Sequence, residues 1–292
     1  MSIVTSRILI PIGFSDQSMI ALGQAFNLAK IKKAEIILLS VIEEPNIIES
    51  LFLDDRTHEL QKKVNDKLVE VGKEYAGRYD IHVETMVAKG RVYEKIIDVA
   101  EMVNAHLIVM GTNGRPKGVI NKVIGSNAER VVRLAHCPVI TIKGKEHKND
   151  CKNIILPLDL EKETKEKVTL AIEYARYWKS TIRVVSVLLR DKQEIKNQLV
   201  RNLNQVEKFI SDADIACSAE LLEGEKGKSL ASYILDYEKE FESDLILIMT
   251  RQEDIFSNKL GASAREIIYQ SEIPVMSIKP HNREDVPSPF TY

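Results

Sequence analysis

The chain contains one pattern written twice. RILIPIGFSDQSMIALGQAFNLAK, beginning at Arg7, aligns without a gap with NIILPLDLEKETKEKVTLAIEYAR, beginning at Asn153. Pro11 falls on Pro157, Ala29 on Ala175, Ser40 on Ser186 and Val41 on Val187. Further along, GSNAERVVRLAHCPVITIK from Gly125 parallels GASAREIIYQSEIPVMSIK from Gly261, so Pro138 meets Pro274 and Lys143 meets Lys279. Self-similarity of this kind means two copies of one folding unit. The segment GKEHKNDCK, 144–152, is polar and charged and reads as the linker. Two domains are therefore expected, 1–145 and 151–281, and 292 residues suffice for two cores.

Each copy alternates apolar runs with helix-period segments. In the first, RILIPI is a buried strand and SMIALGQAFNLAKI carries apolar residues at helical spacing. AEIILLSVI is the next strand, and a long charged helix covers roughly 56–77, with Leu60, Val64, Leu68 and Val71 at helical spacing. IHVETMVA, VYEKIIDVAEMV, AHLIVM, a helix from about Ser126 and PVITIK complete the unit. Strands buried on both faces and alternating with helices imply a doubly wound parallel sheet. The expected fold class is α/β: two tandem, Rossmann-like, five-stranded parallel sheets of order 3-2-1-4-5.

Composition excludes more than it selects. A net charge of −2 and pI ≈ 6.4 give no global pull toward nucleic acid or anionic lipid. Cys137, Cys151 and Cys217 form no CxxC pair, so neither a disulfide framework nor a zinc knuckle is indicated. The N-terminus lacks a signal-peptide layout, and no window approaches the ~20 apolar residues of a membrane span. The expectation is a cytoplasmic protein with no nucleic-acid or membrane partner.

The first copy concentrates four glycines, 111, 114, 118 and 125, between its fourth strand and last helix. In a doubly wound sheet, ligands bind beyond the carboxyl ends of the strands where the order reverses. With order 3-2-1-4-5 that point lies between Pro11-Ile12-Gly13 and Met110-Gly111. Backbone N–H groups at Gly111 and Gly114 could face phosphate oxygens, and Gly125-Ser126-Asn127 opens a helix whose free amides favour an anion. The spacing leaves an alternative: Ser126 or Asn127 as an N-cap, with the glycines as a flexible connector.

ILIPIGFSDQS, LLSVI, AKG at 88–90, MGTNG with GSNAERVV, and HCPVITIK together resemble the universal stress protein family over nearly the whole chain. The resemblance implies a tandem of two such domains with an adenine nucleotide alpha hydrolase-like fold. It implies ATP as ligand, with AMP or ADP as alternatives and magnesium as a companion ion. Gly111-Thr112-Asn113-Gly114 and Gly125-Ser126 match the family's G-x-x-G and G-[ST] pair with one extra residue between them. By position, the resemblance adds Pro11, Gly13, Val41 and Ala88 around base and ribose, Met110 at the end of the fourth strand, and Asn127 beside the phosphates. Gly13 stands where the family's first strand usually ends in Asp. The second copy keeps an acid there, Asp159, but its loop is shorter, with Thr250 and Glu253 placed against Gly111 and Gly114. The nucleotide site is therefore expected in the first copy only.

Other chemistry is weaker. GEKGKS, 224–229, has two residues between its glycines where a P-loop needs four, and reads as a basic loop starting a helix. His136-Cys137 are neighbours on a turn, an arrangement that does not align a nucleophile with its base. The six histidines have no metal-ligand spacing, Asp16 and Glu43 read as exposed loop carboxylates near the mouth, and Lys32-Lys33 and Lys62-Lys63 as solvated helix faces. No catalytic residue is assigned, and slow hydrolysis is the most expected of such a site. A nucleotide-free scaffold is the competing function. The last strands, Val139–Ile142 and Val275–Ile278, are apolar sheet edges without an internal proline. They are expected to pair antiparallel as an intramolecular pseudo-dimer, with Ile140→Pro as the test, and a homodimer of such chains is compatible with the same argument.

Overall fold

In a computed structural model, residues 6–43, 54–112, 126–143, 150–159, 164–189, 192–225, 227–250 and 260–280 are described. The first half runs β1 (Arg7–Pro11), α1 (Asp16–Lys32), β2 (Glu35–Ile42), α2 (Asp54–Tyr79), β3 (Val83–Lys89), α3 (Val92–Met102), β4 (Leu107–Gly111), α4 (Ser126–Leu134) and β5 (Val139–Ile142). The second half repeats it: β6 (Asn153–Pro157), α5 (Thr164–Trp178), β7 (Thr181–Leu188), α6 (Gln193–Ser211), β8 (Cys217–Glu223), α7 (Leu230–Glu240), β9 (Leu245–Met249), α8 (Ala262–Gln270) and β10 (Val275–Ile278).

The strands form one sheet in the order β3-β2-β1-β4-β5-β10-β9-β6-β7-β8. Each half is parallel and has the 3-2-1-4-5 order expected from the sequence. Two apolar layers sandwich the sheet. Alternate side chains of β1, Ile8 and Ile10 on one face and Leu9 on the other, enter different layers, as a two-residue period requires. Leu68 of α2 is fully buried, whereas Leu60, placed by periodicity on the same apolar stripe, is half exposed.

The repeat is visible in the backbone as well. Lys33, Asp80 and Asn104 end turns in the left-handed region, with φ of 52°, 53° and 50°. Lys179, Asp214 and Glu242 do the same at the matching places, with φ of 56°, 59° and 45°. A left-handed residue lets a helix end sharply and return its chain to the sheet.

The two half-sheets join along an antiparallel seam, where Val275 faces Thr141, Met276 faces Ile140 and Ser277 faces Val139. The carbonyls of Pro138 and Ile142 accept from Ile108 and Thr112 on the β4 side. By alternation, Ile140 also turns toward β4, while Val139 and Thr141 turn toward β10. A proline at Ile140 would thus break β5 from β4; a proline that removes a seam bond belongs at Thr141, whose Oγ1 also donates to the Val275 carbonyl at 3.3 Å.

Two lysines cross between the halves. Lys32 is not a solvated helix position: its side chain is 11% exposed, its Nζ lies 3.0 Å from Glu173 Oε1, and it stands over the Tyr174 and Tyr177 rings. Packing against α5 removes it from water. Lys143, just after β5, places Nζ 2.8 Å from Glu272 Oε1 in the turn before β10. Lys62 and Lys63 are exposed, as expected.

Candidate functional site

β1 and β4 are paired only through Ile8–Leu107 and Leu9–Ile108, whereas β1 and β2 stay paired to Pro11–Leu39. Beyond Leu9 the two central strands part. Arg7's carbonyl accepts from His106 N on the β4 side, and Ile12 N donates to the Leu39 carbonyl on the β2 side at 2.7 Å. Alternation then turns the Pro11 carbonyl toward β4, into the opening. Of the residues singled out from the sequence, Pro11, Gly13, Met110 and Gly111 cluster at the carboxyl ends of these two strands. Val41 and Ala88 are direct partners in the β2–β3 register, one and two strands away.

Gly13 is exposed, and a Cβ built on it meets nothing within 4 Å. Packing therefore does not force the loss of an acidic side chain there. Phe14 follows in the left-handed region with φ 54°, its ring 4.6 Å from Lys67 Nζ. Ser15 caps α1, its hydroxyl accepting from Ser18 N at 3.3 Å.

Gly111 has a structural cause that the sequence did not reveal. A Cβ there would stand 2.9 Å from both C and O of Gln17, in the first turn of α1. The helix lies on the strand too closely for any side chain. Gln17 Nε2 also donates to the Lys143 carbonyl at 3.2 Å, fixing α1 to the end of β5. Thr112 N and Oγ1 both donate to the Ile142 carbonyl, at 2.9 and 3.3 Å.

Gly114, Gly118 and Gly125 lie outside the described residues. α4 starts at Ser126, so Ser126 and Asn127 both stand in its first turn. Arg130, on the same helix, lies 4.6 Å from the centre of the Tyr93 ring and ties α4 to α3. Burial pushes the Cys137 thiol up to about 12, which keeps it protonated and removes it as a nucleophile. Among the described residues no group of three or more His, Cys, Asp or Glu could hold a metal ion. None of the described helices is long and apolar enough to cross a membrane.

The second half opens in the same place. β6 and β9 pair only through Ile154–Leu245 and Ile155–Ile246, while β6 and β7 continue to Pro157–Val185. Leu158 N donates to the Val185 carbonyl at 2.8 Å, repeating the Ile12 bond. Thr250 N donates to the Ile278 carbonyl at 2.7 Å, as Thr112 does to Ile142. This register corrects the alignment: Thr250 corresponds to Thr112, and Met249, not Thr250, is the counterpart of Gly111. The loop up to Gly261 is accordingly two residues shorter than its partner, not three. Glu253 and Asp254 lie outside the described residues.

One residue of this second opening escaped the sequence. Lys167, on α5, is only 6% exposed, and its Nζ donates to the Pro157 carbonyl at 2.5 Å. The signal was available: Lys167 precedes Val168 on the stripe that buries Ala171, Ile172 and Ala175, and aligns with the fully buried Ala21.

GEKGKS behaves as a loop starting a helix. Ser229 caps α7 by accepting from Ser232 N at 3.1 Å.

Known proteins resemble this chain in sequence and in fold. The Universal stress protein family (Usp) profile matches residues 5–143. Universal stress protein MJ0531 of Methanocaldococcus jannaschii is 33% identical over 141 residues, covering 47% of this chain and 81% of that protein. Universal stress protein YxiE of Bacillus subtilis is 31% identical over 148 residues, covering 47% of this chain and 99% of its own. The crystal structure of a universal stress protein from Archaeoglobus fulgidus superposes with a TM-score of 0.78 over 95% of this chain and 97% of that one, at 20% identity, a likeness of fold across both halves. The doubled sheet and these relatives together place the chain in the universal stress protein family.

Proposed function

We propose that this chain is a nucleotide-responsive regulatory module of two domains, 1–145 and 151–281, with an adenine nucleotide held in the first. The observation that carries the proposal is the parting of β1 and β4, with the Pro11 carbonyl turned into the gap and the glycine loop leaving from its far wall. Pro11, Gly13, Val41, Ala88 and Met110 frame base and ribose. Gly114, Gly125, Ser126 and Asn127 meet the phosphates, where the first amides of α4 and its dipole favour an anion. Gly111 joins them through its backbone, its Cα face being taken by Gln17. ATP is the first ligand to test, AMP and ADP the next. Magnesium would enter with the triphosphate, and the exposed Asp16 and Glu43 are its nearest acidic neighbours in sequence to the strand ends.

We assign no catalytic residue, so binding and its structural consequence are the output. The second domain serves as a built-in dimer partner through β5 and β10. That pairing consumes both last strands, so a homodimer of such chains must use another surface. The three unbridged cysteines fit a reducing, cytoplasmic setting.

Calorimetric titration with ATP, ADP and AMP tests the assignment. Wild type should bind one nucleotide per chain, and saturation at about 100 times Kd should add roughly 2.7 kcal/mol of stability. Gly114→Glu, which places a side chain and a negative charge in the cradle, should abolish binding while preserving the melting temperature without ligand. No heat at millimolar nucleotide, with a melting temperature that ignores ATP, would favour the nucleotide-free scaffold.

A further inference from the structure

The second opening is already filled from within. Asn153's carbonyl accepts from Asp244 N on the β9 side, and Leu158 N donates to β7. Alternation along β6 therefore turns the Pro157 carbonyl toward β9, past the last paired residues, Ile155 and Ile246. That carbonyl is the counterpart of the Pro11 carbonyl in the first half. The Lys167 ammonium sits 2.5 Å from it, so the ammonium occupies the parting of β6 and β9. Its stem descends from α5, on the face where the first half has Ala21.

A second exchange accompanies the first. Where Gly111 lets α1 lie directly on β4, Met249 stands on β9, and α5 contacts β9 more loosely than α1 contacts β4. Two small residues at one helix–strand contact, Ala21 and Gly111, are matched by two long ones, Lys167 and Met249. The extra separation gives the lysine stem its space.

We propose that Lys167 determines ligand specificity by acting as a tethered occupant: its ammonium makes the hydrogen bond to the strand-end carbonyl that a bound ligand would otherwise make, and so closes the second opening to nucleosides. A buried ammonium needs acceptors, and the Pro157 carbonyl is one. This extends the assignment of the nucleotide to the first half, because it gives a cause, independent of the acidic loop, for the second half's exclusion.

The test uses the full chain and adenosine as probe, since a nucleoside makes no demand on a phosphate loop, and reads the number of sites by calorimetry. Wild type should bind adenosine at no more than one site per chain, that of the first half. Lys167→Ala should add one site per chain, about tenfold or more tighter than the background limit of the titration. Lys167→Ser replaces Lys167→Ala should the alanine chain fail to fold. Independently, the wild-type Lys167 ammonium should give a 1H–15N signal protected from solvent exchange, unlike the surface lysines. Exchange of that ammonium as fast as surface lysines, or no adenosine site gained in either folded Lys167 variant, overturns the proposal. A wild type that binds no nucleotide defeats the first-half assignment instead; adenosine gained on removing Lys167 would still uphold the tethered occupant.

Discussion

The floor of the sheet, at the amino ends of the strands, differs between the halves more than the backbone does. In the first half it is lined by Ala100, Ala105 and Ala135, at most 2% exposed. The matching residues of the second half are Glu238, Ser243 and Ser271, equally enclosed. The match is geometric: Ala105 N donates to the Ala100 carbonyl at 2.8 Å, and Ser243 N to the Glu238 carbonyl at 3.1 Å. One layer of methyl groups has become a polar knot. Glu238 Oε1 accepts from Glu272 N at 3.1 Å, while Glu238 Oε2 and Ser243 Oγ are buried with no hydrogen-bond partner among the described residues. At the opposite end of the strands, Ala21 and Gly111 correspond to Lys167 and Met249. What repeats is the path of the chain, held by ladder bonds and left-handed turns; what fills the spaces between elements is specific to each half. A repeat in sequence thus predicts topology well and site chemistry poorly.

The comparison can be broken most severely at Gly111. Gly111→Met copies the residue native to the other half, yet its Cβ would collide with the Gln17 backbone. A loss of about 1–3 kcal/mol is expected from such overpacking, read as a lowered denaturation midpoint. Unchanged stability would mean that α1 can stand off β4 as α5 stands off β9.

The next effect is at Glu238, whose carboxyl is raised above its ordinary value first by burial, against lowering bonds from Ser271 and the Glu272 and Ile273 amides. A carboxyl raised on folding favours the folded state when protonated. Its contribution is complete below the unfolded value, near 4.3, and is lost as pH rises through the folded one. Glu238→Gln should therefore stabilise the chain by about 1 kcal/mol at pH 7. The gain should shrink toward zero near pH 4, in paired thermal scans of variant and wild type. A gain independent of pH would show that the carboxylate charge is not its source.

The smallest effect is at the seam. A double-mutant cycle on Lys143→Met and Glu272→Gln should give a coupling of about 0.2–1 kcal/mol, because Glu272 is two-thirds exposed. It should weaken between low salt and 1 M, as the screening length falls to about 3 Å. A coupling near zero, with Lys143→Met still destabilising, would mean that the hydrogen bond from Lys143 Nζ to the Gln270 carbonyl, not the ion pair, holds the lysine at the seam.

The fold could be read from the residues because its determinants are patterned. Apolar strands, helix-period segments and two aligned copies left little choice of order, and the apolar last strands implied the seam. The site was read less well, because its determinants are contacts between elements. Gly111 looked like phosphate chemistry, and its structural cause is the approach of Gln17, 94 positions earlier in the chain. Lys32 looked solvated because nothing nearby in sequence announces Glu173 or the Tyr174 and Tyr177 rings. Lys167 was legible as a cation on an apolar stripe, but its partner carbonyl on β6 was not.

Joining both copies in one polypeptide changes what a mutation can do. In a dimer of identical subunits, a substitution enters both sides of the twofold axis, and a contact from residue i to residue j is repeated from j to i. Here the Lys143–Glu272 bridge has no such repeat: its mirror positions are Lys279 and His136. The Lys32–Glu173 bridge would be mirrored by Trp178 and Asn27. Each side of the axis has been free to change alone. Fusion lets one half keep its packing while the other accumulates changes that a symmetric dimer would have imposed on both.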